Sequence, residues 1–109
     1  MTTHDPHAGQ PVTSAGEALE SARAAMIMIH GRGASAQDIL TLVPYLEQPG
    51  FAYLAPQAAN NTWYPFSFLA PLDDNEPGLS SALGVIDSLV QQVEAAGIPA
   101  ERTLLLGFS

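Results

Sequence analysis

A run of six apolar residues, Ala24-Ala25-Met26-Ile27-Met28-Ile29, stops at once in His30-Gly31-Arg32-Gly33. No polar residue alternates within the run, so it predicts a parallel strand covered on both faces. The glycines behind it call for a turn. Ser35 then stands as an N-cap with Asp38 three residues on, a carboxylate variant of the capping box. Ile39, Leu42, Val43 and Leu46 recur at helical spacing, and Pro44 within that pattern removes an amide donor, so the helix is expected to kink or end near it.

The same alternation continues down the chain. Pro49-Gly50 punctuates it, Phe51 to Ala55 reads as a second buried strand, and Pro56-Gln57 ends that strand. Asn60 to Pro77 reads as a long loop holding Trp63, Tyr64, Phe66 and Phe68 among prolines and closing in Asp73-Asp74-Asn75-Glu76. A second helix is expected from about Leu79 to Ala96, with Leu79, Ala82, Leu83, Ile86, Val90 and Val93 on one stripe, Gly97 as the left-handed terminator and Pro99 beyond it. Thr103 to Leu106 reads as a third buried strand running into Gly107-Phe108-Ser109. Strands alternating with helices imply an α/β fold with a mainly parallel, doubly wound sheet. In such sheets ligands gather at the carboxyl ends of the strands, which puts the His30 to Gly33 loop and Ser109 on one edge.

Residues 1 to 16, rich in Thr, His, Gly, Pro and Ser, read as a flexible N-terminal tail, and 17 to 109 as part of a single domain. From Glu17 to Ala25 the residues fit a helical turn or a weak edge strand, and the sequence does not choose between them.

Charge and composition narrow the function classes. Eleven acidic residues stand against three arginines and no lysine, a formal charge of -8 that repels nucleic acid and anionic lipid headgroups. With no cysteine, thiolate catalysis, disulfides and cysteine-bound zinc are excluded. The N-terminus has neither a basic n-region nor an apolar h-region, and no apolar run reaches the roughly 20 residues of a membrane helix. A cytoplasmic location without membrane insertion is therefore the expectation.

Gly107-Phe108-Ser109 after an apolar strand is the first half of a G-x-S-x-G nucleophile elbow, in which a strained turn lifts the serine hydroxyl above the sheet. By itself the tripeptide says little, because many strands end in Gly and Ser. It gains meaning from His30-Gly31-Arg32-Gly33 after the earlier strand, since hydrolases of this kind take one oxyanion-hole amide from that loop. Glycines there let the backbone approach the substrate and aim an N–H at the developing oxyanion.

His30-Gly31-Arg32-Gly33-Ala34, Leu54-Ala55-Pro56-Gln57-Ala58 with Thr62-Trp63-Tyr64-Pro65 behind it, and Leu106-Gly107-Phe108-Ser109 together resemble the phospholipase/carboxylesterase family of the α/β-hydrolases. The resemblance spans Ala24 to Ser109. It implies a three-layer α/β-hydrolase fold and a serine hydrolase acting on carboxylic esters or thioesters of small molecules, without metal or cofactor. Ser109 matches the nucleophile and the backbone amide of Arg32 one oxyanion donor. The triad Asp and His would lie downstream, so the chain is expected to be an N-terminal part cut at its nucleophile and inactive alone. Trp63 and Tyr64 match loop residues near the acyl pocket. The family fold also implies that the 25–29 strand lies between the 51–55 and 103–106 strands.

Other readings stand beside these. His30, preceding the serine in the chain, reads as a structural histidine of the loop together with Gly31 and Gly33, and the Arg32 side chain as solvent-facing. His4 and His7, flanking Asp5, lack an anchored third ligand for a metal. Asp73, Asp74 and Glu76 read as a solvated acidic loop. Gly31-x-Gly33-x-x-Ala36 also fits a Rossmann-type dinucleotide-binding turn, although the following strand ends in Gln57 rather than in the acid that would hold a ribose. A non-catalytic hydrolase-like fragment is the remaining alternative.

Overall fold

The computed structural model describes residues 5–46, 48–67 and 69–108. In chain order the elements are β1 (Val12–Gly16), β2 (Ala24–Ile29), α1 (Ala36–Leu40), α2 (Val43–Leu46), β3 (Phe51–Pro56), α3 (Gly78–Ala95) and β4 (Thr103–Gly107). Four strands form one sheet in the order β1-β3-β2-β4. β2 pairs in parallel with both β3 and β4, and β1 runs antiparallel to β3. β2 is thus central among the parallel strands, as expected.

The unbroken apolar run of β2 is explained by cover on both faces. Ala25 and Ile27, fully buried, join Ala52 and Leu54 of β3 beneath Leu89 and Val93 of α3. Met28 points the other way, with Tyr53 and Ala55, onto Ala36, Ile39 and Val43 of α1 and α2. Side chains alternate across a strand, so a two-sided core needs apolar residues at every position. The helical pattern expected over 36–46 breaks into α1 and α2, and Pro44 falls in the first turn of α2, where its missing amide costs no helical bond.

The α3 prediction holds within a residue at each end, and Gly97 takes φ 98° as its terminator. Its buried face differs from the expected stripe. Ser81, Ala82, Leu89 and Val93 are buried, whereas Leu83 is 60% exposed. The helix is apolar around more than half its circumference, so periodicity alone does not choose which side meets the sheet.

The expected flexible tail is corrected over the described residues. Asp5-Pro6 opens a turn closed by Ala8 N–H to Asp5 O at 3.2 Å, with proline setting φ at the second turn position. His7 is buried, and β1 completes an antiparallel ladder with β3. An edge strand exposed on its outer side is held by backbone bonds rather than by apolar side chains, so Val12-Thr13-Ser14-Ala15-Gly16 carries no hydrophobic signal. Glu17 to Arg23 is neither helix nor strand; Ser21 N–H closes a turn on Ala18 O at 3.0 Å.

Gly16 shows how tightly β1 sits. Its φ is 75°, and a Cβ there would lie 2.6 Å from Phe51 O and 2.7 Å from the Tyr53 ring. Gly9 has a similar φ of 78° but open space around it. In urea unfolding, Gly16→Ala should therefore cost clearly more stability than Gly9→Ala, the latter losing about 1–2 kcal/mol from the left-handed backbone alone. Equal losses would mean that β1 is not packed as described.

Candidate active-site cleft

The chain leaves β2 in one direction to form β3 through α1 and α2, and then crosses by α3 to β4 on the other side of β2. Such a reversal opens a crevice at the carboxyl ends of the two strands flanking the switch. The loop His30 to Gly33 lies at the end of β2. Gly107 and Phe108 lie beside it at the end of β4, with Phe108 N–H bonded to Ile29 O at 3.1 Å. Ser109 follows Phe108 in the chain and is outside the described residues, as are Phe68 and His4.

His30 is 1% exposed and hydrogen-bonded through both ring nitrogens. Ala58 N–H donates to Nε2 at 3.1 Å, and Nδ1 lies 2.7 Å from Gly31 O. An amide can only donate and a carbonyl only accept, so the ring is neutral with its proton on Nδ1. Trp63 stacks on this ring at 4.9 Å and donates its indole N–H to His30 O at 2.8 Å. Gly33 N–H reaches Asn61 O at 2.6 Å, and Arg32 Nη1 donates to Pro65 O at 3.0 Å. Asn60 and Asn61 hold left-handed φ values of 54° and 60° to present that carbonyl, a conformation asparagine tolerates better than most residues. The loop after β3 is thereby fastened along the whole loop after β2.

The glycine loop spends its amides unequally. Ala34 N–H is bonded to Gly31 O at 3.0 Å and Gly33 N–H to Asn61 O, whereas the N–H groups of Gly31 and Arg32 have no acceptor among the described residues. Gly33 has φ 85° and a clear space where a Cβ would stand. The Arg32 guanidinium lies exposed at the rim, 5.9 Å from the centre of the Tyr64 ring. Behind the loop, Ser35 Oγ caps Asp38 N–H at 3.1 Å and Gln57 Oε1 takes Ala36 N–H at 2.9 Å. A dinucleotide pyrophosphate would need the N-terminal amides of this helix, so the Rossmann reading of Gly31-x-Gly33-x-x-Ala36 meets donors already occupied. The cap by Gln57 was not foreseen in the sequence; its position at the end of a strand gave no sign of its partner 21 residues earlier.

A cavity of about 550 Å³ opens between the two strand ends and α3. Arg32, Trp63 and Tyr64 line it together with Leu79, Ile86 and Phe108. The apolar stripe of α3 that does not enter the core therefore faces this space. Arg32 is the one charged residue of its lining among the described residues. No group of three or more His, Cys, Asp or Glu among the described residues could hold a metal ion. His7, the other candidate metal ligand within them, also has both ring nitrogens bonded, to Ala59 N–H at 3.0 Å and Trp63 O at 2.7 Å.

No family model matches the chain. Among solved structures, it superposes with a TM-score of 0.88 on a phospholipase/carboxylesterase from Dyadobacter fermentans DSM 18053, with 44% sequence identity over 93% of this chain and 48% of that one. Esterase PE8 superposes with a TM-score of 0.65 at 21% identity, over 91% of this chain and 51% of that one, a likeness of fold. The chain thus spans about half the length of each.

The wall formed by α3 is anchored by Glu76 of the expected acidic loop. Pro77 offers no side-chain cap, and the Glu76 carboxylate accepts Ser80 N–H at 2.9 Å and Ser80 Oγ–H at 2.7 Å. The backbone bond first, then the hydroxyl bond, lowers the pKa of this exposed carboxyl below its ordinary 4.5, against a small opposing effect of burial. A depressed folded-state pKa contributes stability that is present above 4.5 and lost as pH falls through the folded value. Carboxyl-carbon NMR titration should find the Glu76 midpoint below 4.5, and Ser80→Ala, which removes one of the two bonds, should raise it.

Proposed function

Because the chain belongs to the phospholipase/carboxylesterase family of α/β-hydrolases, we propose that its protein hydrolyses carboxylic esters or thioesters through an acyl-enzyme on Ser109. The observation that carries this reading is the unspent Arg32 amide, held in a fastened loop next to the strand that leads through Gly107 and Phe108 to Ser109, at the mouth of an apolar cavity. The Ser109 hydroxyl oxygen adds to the ester carbonyl carbon while the carbonyl electron pair moves onto oxygen. That oxyanion is received by the Arg32 N–H and by the amide of the residue after Ser109, donors that act because they need no reorganisation when charge develops. The serine proton passes to a histidine and then to the departing alcohol or thiol, and water releases the acid from the acyl-enzyme.

The base is not among the described histidines. His7 and His30 each accept an amide proton with one nitrogen and face a carbonyl with the other, leaving no lone pair for a serine proton. In this reading the histidine and its orienting acid come from downstream of Ser109, as the family pattern implies, and residues 1 to 109 alone are inactive. The cavity lining of Ile29, Trp63, Leu79, Ile86 and Phe108 suits an apolar acyl or alcohol moiety of a small substrate.

In the full-length protein, Ser109→Ala should abolish hydrolysis of a small activated ester and labelling by a serine-directed organophosphonate, with no metal or cofactor added. Arg32→Ala should keep kcat within about threefold, since the donor is the backbone, whereas loss of a true oxyanion donor costs about 10²–10³ in kcat. A Ser109→Ala variant that retains most activity and labelling removes the nucleophile assignment; a collapse of kcat in Arg32→Ala shifts the donor to the guanidinium.

A further inference from the structure

His7 is 3% exposed, and the reaction above makes no use of it. Its ring and its backbone N–H bind partners 52 to 74 residues away. Its ring holds the loop after β3 at two points: Nδ1 accepts Ala59 N–H at 3.0 Å and Nε2–H donates to Trp63 O at 2.7 Å. Its backbone N–H donates to Ser81 Oγ of α3 at 3.0 Å, and that hydroxyl donates onward to the Asp5 carboxylate. The imidazole meets the indole of Trp63 edge-on at 4.9 Å, while His30 stacks on the same indole at 4.9 Å. Trp63 is therefore clamped between two histidines with opposite tautomers, one from the N-terminal turn and one from the end of β2. Beyond His30 lie Gly31 and Arg32, whose amides are unspent.

We infer that His7 is a positioning residue: through Trp63 it fixes the His30–Arg32 loop, and so sets the direction of the Arg32 N–H. Three features favour this over simple packing. The His7 ring contributes directed bonds to main-chain groups on either side of the Trp63 loop, so it fixes orientation rather than filling volume. Trp63 is bound to the oxyanion-side loop by a hydrogen bond as well as by stacking, so a shift of the indole carries the His30 carbonyl with it. Gly78 lies so close that a Cβ there would be 2.5 Å from Trp63 O, which leaves the loop no room to relax toward α3. The catalytic consequence rests on the esterase reading; the structural coupling does not.

Two readouts test the coupling without activity. Trp63 is the only tryptophan within these 109 residues, and the part of the emission that Trp63→Phe removes reports on this clamp. His7→Ala should shift its emission to the red and raise its quenching by acrylamide, and should move the ¹⁵N–¹H resonances of Gly31 and Arg32 in a protein that keeps its circular dichroism. His7→Gln, which keeps an amide donor for Trp63 O, should restore part of both signals. In the full-length enzyme, His7→Ala should lower kcat about 10- to 100-fold, as for misplacement of a catalytic group by around an ångström, with KM changed less than kcat. Unmoved Gly31 and Arg32 resonances in His7→Ala overturn the inference. So does unchanged kcat in an active enzyme whose tryptophan signal has changed, which would leave His7 a packing residue. Should His7→Ala fail to fold, the same resonances in His7→Gln and His7→Asn decide, since each keeps one of the two ring bonds and must shift them in part. An enzyme in which Ser109→Ala has no effect would refute the esterase reading and leave the resonance result standing.

Discussion

The indole of Trp63 against the imidazole of His30 is the contact on which the rest of the cleft depends. The long loop between β3 and α3 carries many polar main-chain groups, and burying any part of it requires a partner for each. His30 supplies this loop with two partners from one position, Nε2 for the Ala58 N–H and its carbonyl for the Trp63 indole N–H, while Nδ1–H turns to Gly31 O. Among the described residues no buried side-chain nitrogen or oxygen lacks a hydrogen-bond partner. That completeness matters because a half-satisfied buried network is costly at low dielectric. The histidine at the head of the glycine turn thus does its work as a fixed neutral ring joining two loops.

The cleft also draws on the uneven use of apolar surface by α3. One stripe seals the sheet through Leu89 and Val93, and the neighbouring stripe, Leu79, Ala82 and Ile86 with the exposed Leu83, turns to Trp63 and the cavity. A single helix is therefore both core and cleft wall. Its N-terminal turn is held by Glu76 and Ser81 and by contact with the Trp63 main chain, so this wall and the loop after β3 are placed relative to each other by direct bonds. The charge pattern fits the same division. The chain is strongly acidic, while among the described residues the cavity lining carries a single arginine at its rim and is otherwise uncharged. No helix among the described residues is long and apolar enough to cross a membrane.

Much of this was legible because the local chemistry is unambiguous. Six apolar residues ending in a glycine turn, Ser35 with Asp38, and Gly97 before Pro99 each state a strand end, a helix start and a helix stop in terms the backbone must obey. The strand β1 was not legible, since an exposed edge strand needs only its amides and carbonyls and leaves its side chains free to be polar. His7 was not legible either: it stands in a polar stretch without periodicity, and nothing near it announced a partner 56 residues on. The seat of α3 was legible only in part for a related reason: Ala82 and Val93 of the expected stripe are buried, but Ser81 is buried by a hydrogen bond to a distant segment and lies on a face that hydropathy alone would leave outside.

The sequence by itself determined the alternation of strands and helices, the two-sided burial of β2 and the turn at Gly31 to Gly33, since these follow from interactions within a few residues of one another and from the geometry of a single strand or helix. Only the tertiary structure decided which amides of that turn remain free, which side of α3 faces the cavity, and that Trp63 is held between His7 and His30. Each of these depends on hydrogen bonds between groups 28 to 74 residues apart. A side chain's donors and acceptors are written in the sequence, but their partners are chosen only when the chain has closed on itself.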